Sequence, residues 1–311
     1  MSSLSGSDRI FTCREVYEEG AALLSELEDG RLDARLLLEH FCGIPAHRLL
    51  ADPDLEVEVK ARECYLEGIR RRAGREPVAY IIGEQSFMGL PFVVSEDVLI
   101  PEQDTENMVE EALRHLEDGS RILDLCTGSG CILLSLLQYS NGCVGVGTDI
   151  SGRALEIAEK NAQALGLAER SVWLQGDLFE ALDSLADSSL SPFSSPLFFR
   201  KPVRFDMIIS NPPYIRTDVI ETLAPEVRCA EPRLALDGGA DGLDFYRRII
   251  RQAPAYLVIG GRLMLEIGYD QAQAVSGLLE DAGYYDIEII KDYGGNDRIA
   301  TAVRSMKQDS R

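Results

Sequence analysis

The segment Ser210-Asn211-Pro212-Pro213-Tyr214 combines residue types that can hold an amino group for chemistry. Proline fixes its own φ at about −65° and holds the residue before it in an extended conformation. The two prolines therefore keep two hydrogen-bond acceptors at a fixed spacing, the side-chain oxygen of Asn211 and the main-chain oxygen of Pro212. Two acceptors match an NH₂ group, which has two hydrogens to donate. The ring of Tyr214 can pack against the planar group that carries the nitrogen.

A glycine-rich turn lies upstream, between a predicted strand at residues 121–125 and a predicted helix that starts near Ile132. Its residues Gly128 and Gly130 let the backbone approach a ligand closely. A dinucleotide site needs a further glycine or alanine three residues after the second glycine, and here that position is Leu133. This departure weakens the case for NAD and favours an adenosine without a diphosphate.

An aspartate lies just after the end of each of the next two predicted strands. Asp149 lies 19 residues after Gly130, where an acidic side chain can accept hydrogen bonds from both ribose hydroxyls. Asp177 can accept from an adenine amino group, with Leu178 or Phe179 against the face of the ring. Because ligands bind at the carboxyl ends of parallel strands, these residues together predict a site for S-adenosylmethionine.

This cofactor and the Asn-Pro-Pro-Tyr segment imply methyl transfer to nitrogen. An amide or aromatic amine nitrogen is a poor nucleophile because its lone pair is delocalised. Accepting both of its N–H bonds fixes its orientation and stabilises the positive charge that grows as a methyl group arrives. The sulfonium is already a reactive methyl donor, so no metal and no covalent nucleophile is required. We predict catalytic roles for Asn211, Pro212 and Tyr214, and substrate-binding roles for Asn211, Pro212, Pro213 and Tyr214.

The rest of the chain alternates between strand-like and helix-like segments from Arg121 onward, which predicts a mostly parallel sheet with helices on both faces. The predicted strands are 121–125, 143–148, 171–175, 205–210, 262–267 and 287–291, and the predicted helices are 132–139, 154–165, 243–256 and 271–282. Asp104 and Glu106 are expected to cap a helix that starts near Asn107.

The N-terminal part differs, because residues 15–72 show helical spacing of apolar residues. Asp33 is the expected cap of its second helix, which Gly43 ends. Residues 78–82 and 91–100 are rich in β-branched residues and suggest a hairpin-like junction. We therefore predict a helical domain at 1–78, a junction at 79–95 and a Rossmann-like α/β domain at 96–311. Residues 187–202 are rich in serine and proline and are expected to form a loop insertion with no assigned role.

The composition and net charge of the chain limit the classes of partner that we expect it to bind. The chain has 311 residues and a net charge of −21, whereas a protein that neutralises a phosphate backbone normally carries a basic face. No apolar run approaches the roughly 20 residues that span a bilayer, and the N-terminus lacks the pattern of a signal peptide. The 7 cysteines are scattered without a C-x-x-C pair, which favours free thiols in the cytoplasm and argues against a zinc site. We expect a cytoplasmic monomer without metal, membrane association or stable nucleic-acid binding.

Motifs along nearly the whole chain resemble the release-factor glutamine methyltransferases, the HemK/PrmC family. They are "DARLLLEHFCGIP", "REPVAYIIGEQSFMGLPFVVSEDVLIPEQDTE", "ILDLCTGSG", "GTDIS", "GDLF", "SNPPYI", "EPRLALDGGADGLDFYR" and "DYGGNDR". The resemblance implies a class I S-adenosylmethionine-dependent methyltransferase that modifies the side-chain amide of the glutamine in the Gly-Gly-Gln motif of bacterial peptide chain release factors. It also implies that the helical domain helps to recognise the release factor.

The resemblance further implies which residues contact the cofactor. These are Cys126, Thr127, Gly128, Ser129, Gly130, Asp149, Leu178 and Asn211, to which the strand-end argument adds Asp177. Three positions depart from the family pattern: Cys126 stands where glycine is common, Leu178 where an aromatic residue is frequent, and Glu102 where arginine is usual. None of the three removes a group that the chemistry needs.

Three alternatives fit parts of the sequence. An amino-methyltransferase acting on adenine in DNA or RNA shares the Asn-Pro-Pro-Tyr segment, with Tyr214 stacked on a flipped base, but the chain shows no evident basic groove. A non-catalytic binding protein could keep the cofactor fold, although the intact Gly128, Asp149 and Asn211 argue against decay. An NAD-dependent oxidoreductase is weakened by Leu133.

Overall fold

The computed structural model describes residues 10–186 and 203–306, with the side chains of residues 184–186 excepted. It divides into two compact units between Gly83 and Glu84, a few residues after the boundary predicted at 78. The insertion predicted at 187–202 lies outside the described residues. Within the described ranges, no helix combines the length and the apolar character needed to cross a bilayer.

The first unit is helical. Its elements are the paired strands β1 (Phe11–Thr12) and β2 (Glu56–Val57) and the helices α1 (Cys13–Leu23), α2 (Gly30–Cys42), α3 (Ala46–Ala51), α4 (Val59–Ala73) and α5 (Val78–Ile82). Helix α1 begins with a capping box, in which the Thr12 hydroxyl accepts from the Glu15 N–H and the Glu15 carboxylate accepts from the Thr12 N–H. As predicted, α2 ends at Gly43, which adopts a φ of 65°.

The prediction that Asp33 caps α2 is wrong. The helix begins earlier, at Gly30, so that Asp33 lies inside its first turn. Asp33 is buried, and its Oδ2 accepts from the Nε of Arg72 on α4 at 2.7 Å. The carboxylate is therefore used to join two helices across the interior of this unit.

The junction contains a helix where strand-like residues were predicted. Residues 78–82 form α5, because Pro77 starts the turn and Gly83 ends it with a φ of 80°. The hairpin is formed by the next residues, β3 (Glu84–Phe87) and β4 (Leu90–Val93), which pair antiparallel. Met88 and Gly89 connect them with φ values of 52° and 72°, the left-handed geometry of a tight hairpin turn.

The second unit continues with a seven-stranded sheet covered by helices. Its strands are β5 (Arg121–Leu125), β6 (Val144–Asp149), β7 (Ser171–Gln175), β8 (Phe205–Ser210), β9 (Leu257–Glu266), β10 (Tyr285–Lys291) and β11 (Asp297–Val303). Its helices are α6 (Gln103–His115), α7 (Cys131–Tyr139), α8 (Gly152–Ala164), α9 (Pro225–Ala230), α10 (Arg233–Leu236), α11 (Asp244–Gln252) and α12 (Ala272–Asp281), with 3-10 helices at Ala168–Arg170, Leu178–Ala186, Ile220–Thr222 and Ala253–Ala255.

The strand order is β10-β11-β9-β8-β5-β6-β7. Strands β7, β6, β5, β8 and β9 run parallel, whereas β11 and β10 add an antiparallel edge. The predicted α/β fold with a mostly parallel sheet is confirmed, and β5, β7 and β8 have the predicted bounds. Strand β11 was not predicted, because it begins with the charged pair Asp297-Arg298 rather than with an apolar run.

The prediction for Asp104 and Glu106 is also wrong, since α6 begins at Gln103 and neither side chain caps it. The Glu106 carboxylate accepts instead from the main-chain N–H of Met88 in the hairpin turn at 2.6 Å. Asp104 forms an ion pair of 3.0 Å with Arg298 on β11. Both carboxylates therefore anchor α6 to other elements of the unit.

Candidate active site

A cavity of about 380 Å³ opens at the carboxyl edge of the parallel strands, within the size range of small-molecule sites. Each of four strands contributes the residues that follow its end: Cys126 and Gly128 after β5, Asp149 at the end of β6, Asp177 and Leu178 after β7, and Asn211 and Pro213 after β8. The parallel pairing of β7, β6, β5 and β8 brings these distant segments to one edge.

The two glycines of the loop after β5 have different physical roles. Gly128 has a φ of 56° and open space around its Cα, so the loop leaves room for a ligand there. Gly130 has a φ of 78°, and a Cβ on it would lie 2.8 Å from the Trp173 ring. Gly130 is therefore required for packing of α7 against the sheet, whereas Gly128 faces the cavity.

Asp149 organises the loop as well as facing the cavity. Its Oδ2 accepts from the Gly128 N–H at 3.0 Å and its Oδ1 accepts from the Ser151 N–H at 2.9 Å. Burial raises the pKa of Asp149, and the hydrogen bonds from the backbone oppose that rise. Since each carboxylate oxygen can accept two hydrogen bonds, both oxygens keep capacity for a ligand hydroxyl.

Asp124, the fourth residue of β5, forms a hydrogen bond with the glycine-rich loop that follows this strand. It is fully buried, and its Oδ2 accepts from the Thr127 hydroxyl at 2.5 Å. Burial raises the pKa of Asp124 to about 7. The sequence indicated no role for this residue beyond its position at a strand end.

At the far side of the cavity Asp177 is already paired. Its Oδ2 lies 2.6 Å from the Nη2 of Arg248 on α11, and the Arg248 guanidinium carbon lies 5.9 Å from the centre of the Phe245 ring. Phe245 and Arg248 line the cavity together with Leu178. This end therefore combines apolar surface with one fixed ion pair, which suits a flat ring that carries an amino group.

The Asn-Pro-Pro-Tyr segment follows β8 directly. Asn211 is half-buried, and its Nδ2 donates to the Thr105 hydroxyl oxygen on α6 at 3.3 Å. Pro212 and Pro213 are buried. The Tyr214 hydroxyl donates to the Oε1 of Glu266 at 3.4 Å, and the Thr105 hydroxyl donates to the other oxygen of Glu266 at 2.6 Å.

Three carboxyl groups near this segment have raised pKa values. Burial raises the pKa of Glu266, at the end of β9, to about 7. Burial, with the nearby charge of Glu102, raises the pKa of Glu231 to about 8. The pKa of Glu102 is raised by burial and then by Asp104. Carboxyl groups with pKa values near neutrality are typical of functional sites.

Two family models match the chain, one described as the PrmC N-terminal domain over residues 15–83 and one described as a methyltransferase domain over residues 116–277. A release factor glutamine methyltransferase of Cereibacter sphaeroides is 43% identical over 279 residues, covering 89% of this chain and 92% of the relative. Another, of Moorella thermoacetica, is 42% identical over 298 residues, covering 94% of this chain and 99% of the relative. The chain belongs to the release factor glutamine methyltransferase family.

Among solved structures, a release-factor-specific protein-(glutamine-N5) methyltransferase of Alicyclobacillus acidocaldarius is 28% identical. It covers 69% of this chain and 99% of its own, with a TM-score of 0.38. The family assignment rests on the sequence relatives.

In this member of the release factor glutamine methyltransferase family, seven of the predicted site residues line the cavity. They are Cys126, Gly128, Asp149, Asp177, Leu178, Asn211 and Pro213. The remaining predicted residues, Thr127, Ser129, Gly130, Pro212 and Tyr214, are not part of the cavity lining. Thr127, Ser129 and Pro212 are buried, and the Ser129 carbonyl accepts from Asn161 at 2.9 Å.

The departures from the family pattern have local consequences. Cys126 has a φ of 58° and Leu178 a φ of 52°, a region that residues other than glycine rarely adopt. Burial raises the pKa of the Cys126 thiol, so it stays protonated. The ring of Phe245 lies on the cavity wall with Leu178 and supplies an aromatic surface that position 178 lacks.

The sequence missed several residues of the site. Thr105 and Phe245 lie within motifs that resemble the family, and Arg248 follows one of them directly, but the sequence alone assigned no role to these residues or to Glu266. The position of Glu266 at the end of an apolar strand was the available signal, since a charged residue at a carboxyl end of such a strand faces the ligand edge.

Proposed function

We propose that this protein transfers a methyl group from S-adenosylmethionine to the side-chain amide nitrogen of the glutamine in the Gly-Gly-Gln motif of bacterial peptide chain release factors. Its family relatives are release factor glutamine methyltransferases. The proposal rests mainly on one cavity that is lined by residues of both predicted sites. Gly128 and Asp149 belong to the predicted cofactor site, and Asn211 and Pro213 belong to the Asn-Pro-Pro-Tyr segment.

The cavity residues fit the cofactor. The open backbone at Gly128 accommodates a close approach, and the Asp149 carboxylate has capacity to accept from ribose hydroxyls. Asp177, fixed by Arg248, can accept from an adenine amino group, while Leu178 and Phe245 supply apolar surface. When bound, S-adenosylmethionine supplies a methyl group activated by its sulfonium.

The remaining chemistry is orientation of the substrate nitrogen. The Asn211 side-chain oxygen and the Pro212 carbonyl accept the two N–H bonds of the glutamine amide, and the Tyr214 ring packs against the amide plane. Holding both hydrogens directs the nitrogen lone pair and stabilises the positive charge that develops on it. These roles are inferred from residue chemistry and from the position of the segment beside the cavity.

The partner and setting are also part of the proposal. The helical unit, which contains the PrmC N-terminal match at residues 15–83, would help to recognise the release factor. A net charge of −21 supports a protein partner rather than stable nucleic-acid binding, because phosphate contacts require basic groups. We expect a monomer that acts in the cytoplasm, where translation takes place and where its 7 free cysteines remain reduced.

Transfer of labelled methyl groups tests the function. The protein is incubated with labelled S-adenosylmethionine and either a bacterial release factor, the same factor with its Gly-Gly-Gln glutamine changed to alanine, or double-stranded DNA. We expect label on the glutamine of the first substrate, located by peptide mapping, and background label on the other two. Label that enters DNA alone would replace the glutamine proposal with the adenine alternative.

A further inference from the structure

Two successive hydrogen bonds connect Asn211 to Glu266 through Thr105. Asn211 Nδ2 and the Thr105 hydroxyl oxygen are 3.3 Å apart, and the Thr105 hydroxyl oxygen and Glu266 Oε2 are 2.6 Å apart. Thr105 is 3% exposed and Glu266 is 1% exposed, so water does not compete for the bond between these two residues. Asn211 follows β8, Thr105 lies on α6 and Glu266 is the last residue of β9, so the packing of these elements sets the spacing of the three residues.

The number of available hydrogens decides which way the Asn211 amide points. A threonine hydroxyl has one hydrogen, and an ionised carboxylate can only accept. When Glu266 is ionised, the Thr105 hydrogen must therefore point to Glu266, and the Thr105 oxygen can only accept from Asn211. This requires the NH₂ end of Asn211 to face Thr105, which leaves its oxygen for another donor.

We propose that Thr105 and Glu266 are positioning residues that orient the Asn211 side chain so that its oxygen, rather than its NH₂ group, is presented to the substrate amide. The inference rests on the proposed function, because the substrate nitrogen requires acceptors and a rotated Asn211 would present a donor. Neither residue touches the substrate in this arrangement, and both act through Asn211.

The protonation state of Glu266 determines the direction of the hydrogen bonds between Glu266, Thr105 and Asn211. A protonated Glu266 can donate to the Thr105 oxygen, and the Thr105 hydrogen then turns to Asn211, which favours the rotated amide. Burial raises the pKa of Glu266 to about 7, so this change falls in an accessible pH range. The titratable and charged groups that face Glu266 are Glu102 before α6, Cys131 on α7, Tyr214 after β8, Tyr246 on α11 and Arg298 on β11.

Substitutions at Thr105 separate orientation from general stability. Thr105→Val keeps the shape of the side chain and removes the hydroxyl, whereas Thr105→Ser keeps the hydroxyl. Thr301→Val is the matched control, because Thr301 is also fully buried and its hydroxyl accepts from Arg262 on the sheet at 3.1 Å. We expect kcat for release factor methylation to fall about tenfold in Thr105→Val, the loss of one orienting hydrogen bond. Thr105→Ser and Thr301→Val should stay within about twofold of the unchanged protein, since they keep that bond.

The pH profile of kcat, at saturating cofactor and release factor, provides a readout that a structural role would not change. In the unchanged protein and in Thr105→Ser, kcat should fall as the pH drops below about 7, because Glu266 becomes protonated. In Thr105→Val and in Glu266→Gln this decline should be absent. A Thr105→Val protein with unchanged kcat and the same acid decline would overturn the proposal.

A second measurement does not depend on the substrate. Protein labelled with ¹⁵N-asparagine gives side-chain NH₂ signals, and the Asn211 signal is the one that is lost in Asn211→Ala. We expect this signal to shift between pH 8 and pH 6 in the unchanged protein and to be insensitive to that pH change in Thr105→Val. A signal that is insensitive in both would refute the orientation by Thr105 and Glu266, whereas failure of methyl transfer to the release factor would refute the proposed function alone.

Discussion

Replacing Asp149 by alanine tests whether its carboxylate binds the cofactor ribose. Its two oxygens already accept from the N–H groups of Gly128 and Ser151, at 3.0 and 2.9 Å. Asp149→Ala therefore removes ligand acceptors and also frees the loop that carries Gly128. Both effects weaken cofactor binding, and neither alters the Asn-Pro-Pro-Tyr segment directly.

The expected size of the effect follows from these bonds. A hydrogen bond to a charged group contributes about 1.5–3 kcal/mol, and each 1.4 kcal/mol, roughly, is a factor of ten in affinity. Water can enter the space left by alanine and partly replace the carboxylate for the two N–H groups and the ribose hydroxyls. Counting one such bond as lost, the Kd for S-adenosylmethionine should rise roughly tenfold to a hundredfold.

Isothermal titration calorimetry measures the Kd, and two further variants separate the causes. Asp149→Asn keeps the size but turns one acceptor into an NH₂ group that faces a backbone N–H, so it should also weaken binding. Asp206→Ala is the matched control: the Asp206 Oδ2 accepts from the Arg121 N–H at 2.8 Å, but at the opposite, amino-terminal edge of the sheet. It should leave the Kd unchanged.

An unchanged Kd in Asp149→Ala would show that the ribose is not held by this carboxylate. Equal weakening in Asp206→Ala would show that the loss reflects general destabilisation. Thermal denaturation without cofactor checks that each variant is folded at the temperature of the titration.

Three other changes have defined outcomes. Asn211→Ala should lower kcat by about a hundredfold or more through loss of an acceptor that stabilises developing charge, with little change in the cofactor Kd; near-normal turnover would contradict the two-acceptor mechanism. Arg72→Ala leaves the buried carboxylate of Asp33 without this ion pair and should cost about 3–5 kcal/mol in urea unfolding, whereas the double change Asp33→Leu with Arg72→Met should recover most of that loss. Burial raises the Asp124 pKa from 3.8 to about 7, so the folded protein retains a proton there and its stability falls as the pH rises through that range. Asp124→Asn should therefore raise the Tm of the cofactor-free protein more at pH 8 than at pH 5, and an equal shift at both pH values would refute this.

Much of the α/β unit could be predicted because its signals are local. The strands β5, β7 and β8 are short apolar runs bounded by turn residues, and the loop with Gly128 and Gly130 lies directly between a strand and a helix. The sequence-based prediction was wrong where the same residue types are compatible with two different local structures. The β-branched residues of 78–82 form a helix, because Pro77 and Gly83 set its ends, and Asp33 pairs with Arg72 instead of capping.

The sequence by itself determined most strands and helices of the α/β unit, the glycine loop and the rigid Asn-Pro-Pro-Tyr segment, since each depends on residues that are close along the chain. Only the tertiary structure decided which groups surround these motifs. Thr105 meets Glu266 across 161 positions, and Arg248 meets Asp177 across 71. Such contacts depend on strand order and helix packing, which bring the ends of four parallel strands to one edge. The sequence supplied the two proposed acceptors, and the fold supplied the hydrogen bonds that we propose orient one of them.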